Sequence, residues 1–194
     1  DAAMVDGAAQ LMWMFHGLES IEGWDATARG SNMLDGAAHF YDVYECADGK
    51  YICIGAIEPQ FYALLRKQLG LEDTAFDRQH EREAWPDLSE KLSAIFLQKS
   101  QEEWCALMEG TDVCFAPVLT FKEAPNYPPN VERETYIEVD GLVQPAPAPR
   151  FSRTPSTIKH GVRSLGEDTE SVLVNIGMNA DEIKSLRTKG VIGE

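Results

Sequence analysis

Apolar residues recur at Met4, Ala8, Leu11 and Phe15, the spacing of a helical face, and predict a helix over residues 1–17 that stops at Gly17. Further apolar residues surround that face, so the helix is expected to be buried against neighbours. Periodicity is lost over 18–38, where glycines at 23, 30 and 36 predict a loop. From 39 the run HFYDVYEC, then Ala47-Asp48-Gly49-Lys50, then YICIGAI predicts a β-hairpin over 39–57, because Asp-Gly suits the turn between two aromatic and β-branched runs. Pro59 fits the first position of a helix, where its missing N–H costs little. Phe61, Leu64, Leu65, Gln68 and Leu69 give that helix one face, and Gly70 ends it.

Two further helices are predicted at about 83–98 and 101–109. Ser100 caps the second, with Glu103 completing a capping box. Val113 to Phe121 reads as a buried strand interrupted at Pro117, hence an edge or bulged strand. Residues 122–130 hold three prolines and read as irregular. Tyr136–Val143 predicts a second hairpin turning at Asp140-Gly141. The stretch QPAPAPRFSRTPS cannot make sheet ladders and is expected to run extended as a connector. Thr169 to Ile176 predicts a helix ending at Gly177. Asn179 with Glu182 opens a last helix that closes at Gly190. No internal repeat is visible. This order predicts an α+β fold: a small mixed domain of hairpins and helices flanked by two arms. The boundaries fall at 1–22 for the first helix, 23–143 for the small domain, and 144–194 for the connector and C-terminal helices.

Charge and composition narrow the partners. The 194 residues carry a net charge of −15, which disfavours a nucleic-acid duplex or an anionic membrane surface. No apolar run approaches the roughly 18 residues of a membrane span. The four cysteines, at 46, 53, 105 and 114, lack CxxC spacing and sit in apolar contexts, which suits buried free thiols in a reducing compartment rather than disulfides or metal ligands. The chain begins with Asp, opens at once into a helix that expects neighbours, and shows no signal peptide. It is therefore expected to be a piece of a longer, cytoplasmic polypeptide. Its end, Val-Ile-Gly-Glu, is not a peroxisomal tripeptide.

Few residues offer chemistry. Glu58 stands where a strand hands over to a helix, and free N–H groups there favour its charged form. That suits an acid kept ionised to orient a partner group, and it equally suits a carboxylate that only stabilises a helix start. His16 and His39 have no sequence-visible partner and read as structural, while His80 and His160 lie in polar segments and read as surface. Met4, Met12, Met14 and Met33 cluster early, either as an adaptable apolar surface or as core filling. No metal-site spacing, nucleophile elbow, phosphate loop or dinucleotide fingerprint is present.

The strings DAAMVDG, RGSNMLDGAAHFYDVYECADGKY and GAIEPQFY resemble the α-methylacyl-CoA racemases of the class III CoA-transferase (CaiB/BaiF) superfamily. The resemblance continues through PVLTFKEAP, APRFSRTP and the tail LGEDTESVLVNIGMNADEIKSLRTKGVI, and so covers nearly the whole chain. It implies an enzyme about twice this long, of which this is the C-terminal half. The arms would belong to a Rossmann-like large domain that is mostly missing here. Two chains would interlock into a homodimer, with the active site between the large domain of one and the small domain of the other.

The implied reaction epimerises 2-methylacyl-CoA thioesters by 1,1-proton transfer through an enolate. It is carried out by a His–Asp pair in the N-terminal half, so this chain alone is expected to be inactive. Glu58 matches the family acid that approaches the catalytic His from the neighbouring subunit. Tyr41 matches a tyrosine lining the substrate site, and Met4 and Met33 match methionines of the acyl-binding surface. Coenzyme A arrives as part of the substrate, so no separate cofactor is expected, and no metal. The alternatives are a class III CoA-transferase working through a nucleophilic aspartate, or a dimerisation module without activity.

Overall fold

The computed structural model describes residues 1–193. Contacts divide the chain into two compact units, 1–119 and 120–194. The sequence pattern places its own divisions after Glu22 and after Val143.

The first unit opens with helices α1 (Met4–Leu11) and α2 (Trp13–Ser20), separated at Met12. The single buried helix expected over 1–17 is thus two exposed ones, with no buried residue in either. Apolar spacing made the helix, but no described element of the unit covers it. Phe15 meets Trp24 edge-on, with ring centroids 4.8 Å apart.

The predicted hairpin forms as β1 (Tyr41–Glu45) and β2 (Tyr51–Gly55), antiparallel, with Tyr41 opposite Gly55 and Glu45 opposite Tyr51. Gly49, at φ +74°, supplies the left-handed residue the turn needs. β3 (Phe115–Val118) pairs with β2 and completes the order β1-β2-β3. Pro117 is tolerated because β3 is an edge strand. Gln101 ties that edge from outside the sheet: its buried side chain donates to the carbonyls of Tyr51 (2.6 Å) and Val118 (3.1 Å).

Strand alternation sends Tyr44, Ile52 and Ile54 inward. They join a core built from α3 (Pro59–Leu69), α4 (Trp85–Phe96) and α5 (Gln101–Met108). On α4, Leu88, Leu92 and Phe96 recur every fourth residue and are fully buried. Each such side chain contributes about 1.5–3 kcal/mol of burial. Glu58 and Pro59 start α3, and Gly70 at φ +65° ends it. The Ser100–Glu103 capping box starts α5 as the sequence predicts.

The second unit begins with a short 3-10 turn at Ala124–Asn126 and helix α6 (Pro128–Glu132), so 122–130 is more ordered than its prolines suggested. Pro128 heads the helix, where proline is favoured. The hairpin of β4 (Tyr136–Val139) and β5 (Leu142–Pro145) turns at Asp140 and Gly141, both at positive φ. An extended run leads to α7 (Thr169–Asn175) and α8 (Ala180–Thr188), the latter opened by the Asn179–Glu182 box. Arg187 on α8 pairs with Glu170 on α7 at 3.2 Å. Ile183 is this unit's one buried hydrophobic residue among the described residues. No helix there or in the first unit is long and apolar enough to cross a membrane, among the described residues.

Candidate active site

The face of the three-stranded sheet turned away from the core forms the floor of an open cleft of about 560 Å³. Tyr41, Val43, Cys53, Gly55 and Ala116 alternate onto this face from all three strands. Leu34, Asp35 and Gly36, from the loop before β1, supply a wall. A mostly apolar hollow with a few polar groups is the form expected of a small-molecule site.

Tyr41, 37% exposed, lies on the floor beside Gly55. A Cβ placed on Gly55 would stand 3.5 Å from the Tyr41 ring, in ordinary van der Waals contact, so the ring lies across β2 at Gly55 with room for no more than a methyl group. Gly55 also donates its N–H to the Cys114 carbonyl at 2.8 Å. Cys114 adopts φ +54°, a left-handed conformation sparsely populated by non-glycine residues, and its side chain lines the same end of the cleft.

Glu58 does not line the cleft, but its charge bears on Cys114, which does. Glu58 is the N-cap residue of α3, yet its side chain takes no capping hydrogen bond from the helix. A stabilising N-cap carboxylate would accept from the second or third helical N–H. The charge of Glu58 acts instead on Cys114: burial chiefly, then Glu58 and Asp112, push that thiol above its usual range. Asp42, half-buried in the cleft, has its carboxyl raised by burial, partly offset by a 2.7 Å hydrogen bond from the Val43 N–H.

Of the site residues expected from the sequence, Tyr41 lines the cleft, whereas Glu58 stands outside its lining and reaches it only through its charge on Cys114. Met33 is half-buried against the core, next to the wall residues rather than among them. Met4 stands on α1, 91% exposed, and does not line the cleft. His16 is exposed on α2.

His39 is fully buried, with Nε2 2.8 Å from the Tyr62 hydroxyl. Tyr62 donates its one proton to the Phe76 carbonyl at 3.0 Å, so His39 must donate from Nε2. Its Nδ1 is then a bare acceptor with no hydrogen-bond partner. Burial, with the nearby His80 second, lowers His39 to about 4. It is a neutral core residue near pH 7. No group of three or more His, Cys, Asp or Glu side chains could hold a metal ion among the described residues.

Three site features escaped the sequence reading. Asp42 sat inside a strand run, where nothing marked it as half-buried in a cleft. The left-handed backbone of Cys114 has no signal in a cysteine. Asn32 lay in a glycine-containing loop, where asparagine is ordinary turn chemistry; in the structure it is 1% exposed.

The family model described as CoA-transferase family III matches residues 1–169. The chain is 42% identical over 196 aligned positions to an alpha-methylacyl-CoA racemase of Mus musculus, covering 99% of this chain and 51% of that protein. It is 40% identical over 195 positions to the alpha-methylacyl-CoA racemase of Homo sapiens, covering 99% and 50%. The chain thus spans about half the length of the curated relatives it matches. Among solved structures, the Rv3272 protein of M. tuberculosis superposes with a TM-score of 0.64 at 20% identity, over 87% of this chain and 44% of that one. A CaiB/BaiF family protein from Brucella suis gives 0.55 at 16% identity, over 84% and 43%. These two share the fold, and the family match extends over most of the sequence: the chain belongs to CoA-transferase family III.

Proposed function

We propose that this chain is the C-terminal part of an acyl-CoA racemase that epimerises 2-methylacyl-CoA thioesters. The observation that carries the reading is similarity to two racemases along nearly the whole chain. In this reaction a base removes the α-proton, and the electron pair of the broken C–H bond delocalises onto the thioester oxygen as an enolate. A proton delivered to the opposite face then restores the α-carbon inverted. No atom is gained or lost, so coenzyme A is needed only as part of the substrate.

The base and acid would be the His–Asp pair of the N-terminal half. The role of this chain is then to shape the cleft and to bring the charge of a carboxylate to bear on it. Glu58 supports that reading because it caps α3 without spending its side chain on the helix. Its charge would orient the catalytic imidazole and favour its protonated form. Tyr41 would lie against the reacting end of the thioester.

The enzyme would work as a homodimer. Exposed Met4, Val5, Leu11 and Trp13 on α1 and α2 support a partner surface there. The four free cysteines support a reducing compartment such as the cytoplasm. A place in lipid metabolism follows from the substrate class.

The test uses the complete polypeptide and a single epimer of a 2-methylacyl-CoA. Chiral chromatography should show both epimers approaching equal amounts. Transfer of CoA to an added carboxylic acid, with the configuration retained, would instead mark a class III CoA-transferase. Neither reaction with either substrate would leave an interaction module.

A further inference from the structure

The loop before β1 is held by a cluster of hydrogen bonds that the reaction itself does not call for. Asn32, almost wholly buried, uses its full side-chain capacity. Its Oδ1 accepts from the Asp25 N–H (2.7 Å) and from Arg82 Nη2 (3.0 Å). Its Nδ2 donates to the Asp25 carbonyl (3.0 Å) and to Asp35 Oδ2 (2.9 Å). The Asn32 N–H donates to Asp35 Oδ1 at 2.6 Å, and its carbonyl accepts from the Ala37 N–H at 3.2 Å. Both ends of the 25–36 loop are thereby drawn onto one amide.

Arg82 anchors the loop to the helical layer. It also donates to the Ser31 carbonyl at 3.0 Å, and its guanidinium stands 5.8 Å over the Trp85 ring at the head of α4. The loop has no strand or helix of its own. Yet its last residues, Leu34, Asp35 and Gly36, are the wall of the cleft. A wall of loop backbone holds its position only as well as its hydrogen bonds do.

We propose that Asn32, clamped by Arg82, is a positioning residue that fixes Leu34 as a rigid wall and so sets which acyl branches the cleft accepts. This rests on the acyl-CoA racemase reading. Discrimination by a hydrophobic wall is worth about 10–200-fold per methylene, and only a wall that does not yield to the larger group delivers it. Asn32 and Arg82 need not touch the substrate. Leu34 is the contacting residue, and the clamp acts through it.

The complete polypeptide carries a built-in reporter, since Arg29 lies exposed in the loop. Trypsin cleavage after Arg29, followed by mass spectrometry, should accelerate about 10-fold or more in Asn32→Ala and several-fold in the milder Arg82→Gln, as the loop opens locally. Leu34→Ala should leave that cleavage unchanged. In selectivity, all three should move the same way. The kcat/KM ratio of a bulky to a small 2-methylacyl-CoA should rise by about 10-fold in each. Arg29 cleavage unchanged in both clamp variants would overturn the clamp. A released loop with unchanged selectivity would overturn its role in specificity. Should Asn32→Ala fail to fold, Arg82→Gln carries both measurements. Should the wild-type protein epimerise no thioester, the reaction reading fails by itself. The Arg29 result still decides the clamp, and the dissociation constants of the same two thioesters decide the selectivity.

Discussion

Replacing His39 with Gln should remove a specific acid weakness from the first unit. Gln keeps a side-chain N–H able to reach the Tyr62 hydroxyl but cannot take up a proton between pH 4 and 7. In the native protein His39 is fully buried, its Nδ1 is unpaired, and its folded pKa is lowered to about 4 from an ordinary 6.5. The unfolded chain therefore binds a proton that the folded chain refuses, and stability must fall as pH drops below 6.5. The contribution is fully present above 6.5 and lost progressively down to about 4. At about 1.4 kcal/mol per unit, the difference amounts to about 3 kcal/mol. At pH 7 the substitution should cost about 1–2 kcal/mol, because Gln fills the aromatic niche of Phe40, Tyr62 and Phe76 poorly.

The two stability curves should consequently converge as pH falls and cross at about pH 5–6, where the lost His39 contribution equals the packing cost of about 1–2 kcal/mol. Urea unfolding of both proteins from pH 7.5 to 4.5 measures this directly. Taking the difference between variants cancels the carboxylates, which titrate in both. A difference that stays constant over the whole range would show that His39 titrates normally, and would refute its assignment as a neutral core residue.

Other expectations follow from the same contacts. Gln101→Ala should lower stability by about 2 kcal/mol in urea unfolding, because it leaves the Tyr51 and Val118 carbonyls without their donor. Leu88→Ala should cost about 2–5 kcal/mol by the same measurement, since Leu88 is fully buried in the core. Gly55→Val should displace the Tyr41 ring and raise KM for the thioester more than it lowers the melting temperature, given how close a bare Cβ already stands.

The sequence showed most elements whose signals are local. The Asp48-Gly49 and Asp140-Gly141 turns, the Ser100 and Asn179 caps and the Gly70 stop all depend on residues within a few positions. The burial of the first helix was misjudged because an apolar face shows a need for a neighbour, not where the neighbour is. Proline runs misled at 122–130, since proline opens a helix as readily as it breaks one.

At the site, Glu58 stood out as a strand–helix acid, but only geometry shows its side chain unused for capping. Tyr41 was visible only through the family resemblance. Asn32 and Arg82 are 50 positions apart, and nothing local joins them.

The central claim is that Glu58 serves proton transfer at the α-carbon of an acyl-CoA. Deuterium uptake from heavy water into a 2-methylacyl-CoA tests it most directly, comparing the complete polypeptide with its Glu58→Gln variant. The account predicts uptake by the wild-type protein, slowed about 10–100-fold in the variant, the loss typical of a group that orients a catalytic side chain. It also predicts a melting temperature nearly unchanged, because Glu58 makes no capping bond and a helix-terminus charge contributes only about 0.3–1 kcal/mol. Uptake at the wild-type rate in a destabilised Glu58→Gln protein, or no uptake by the wild type, would contradict it.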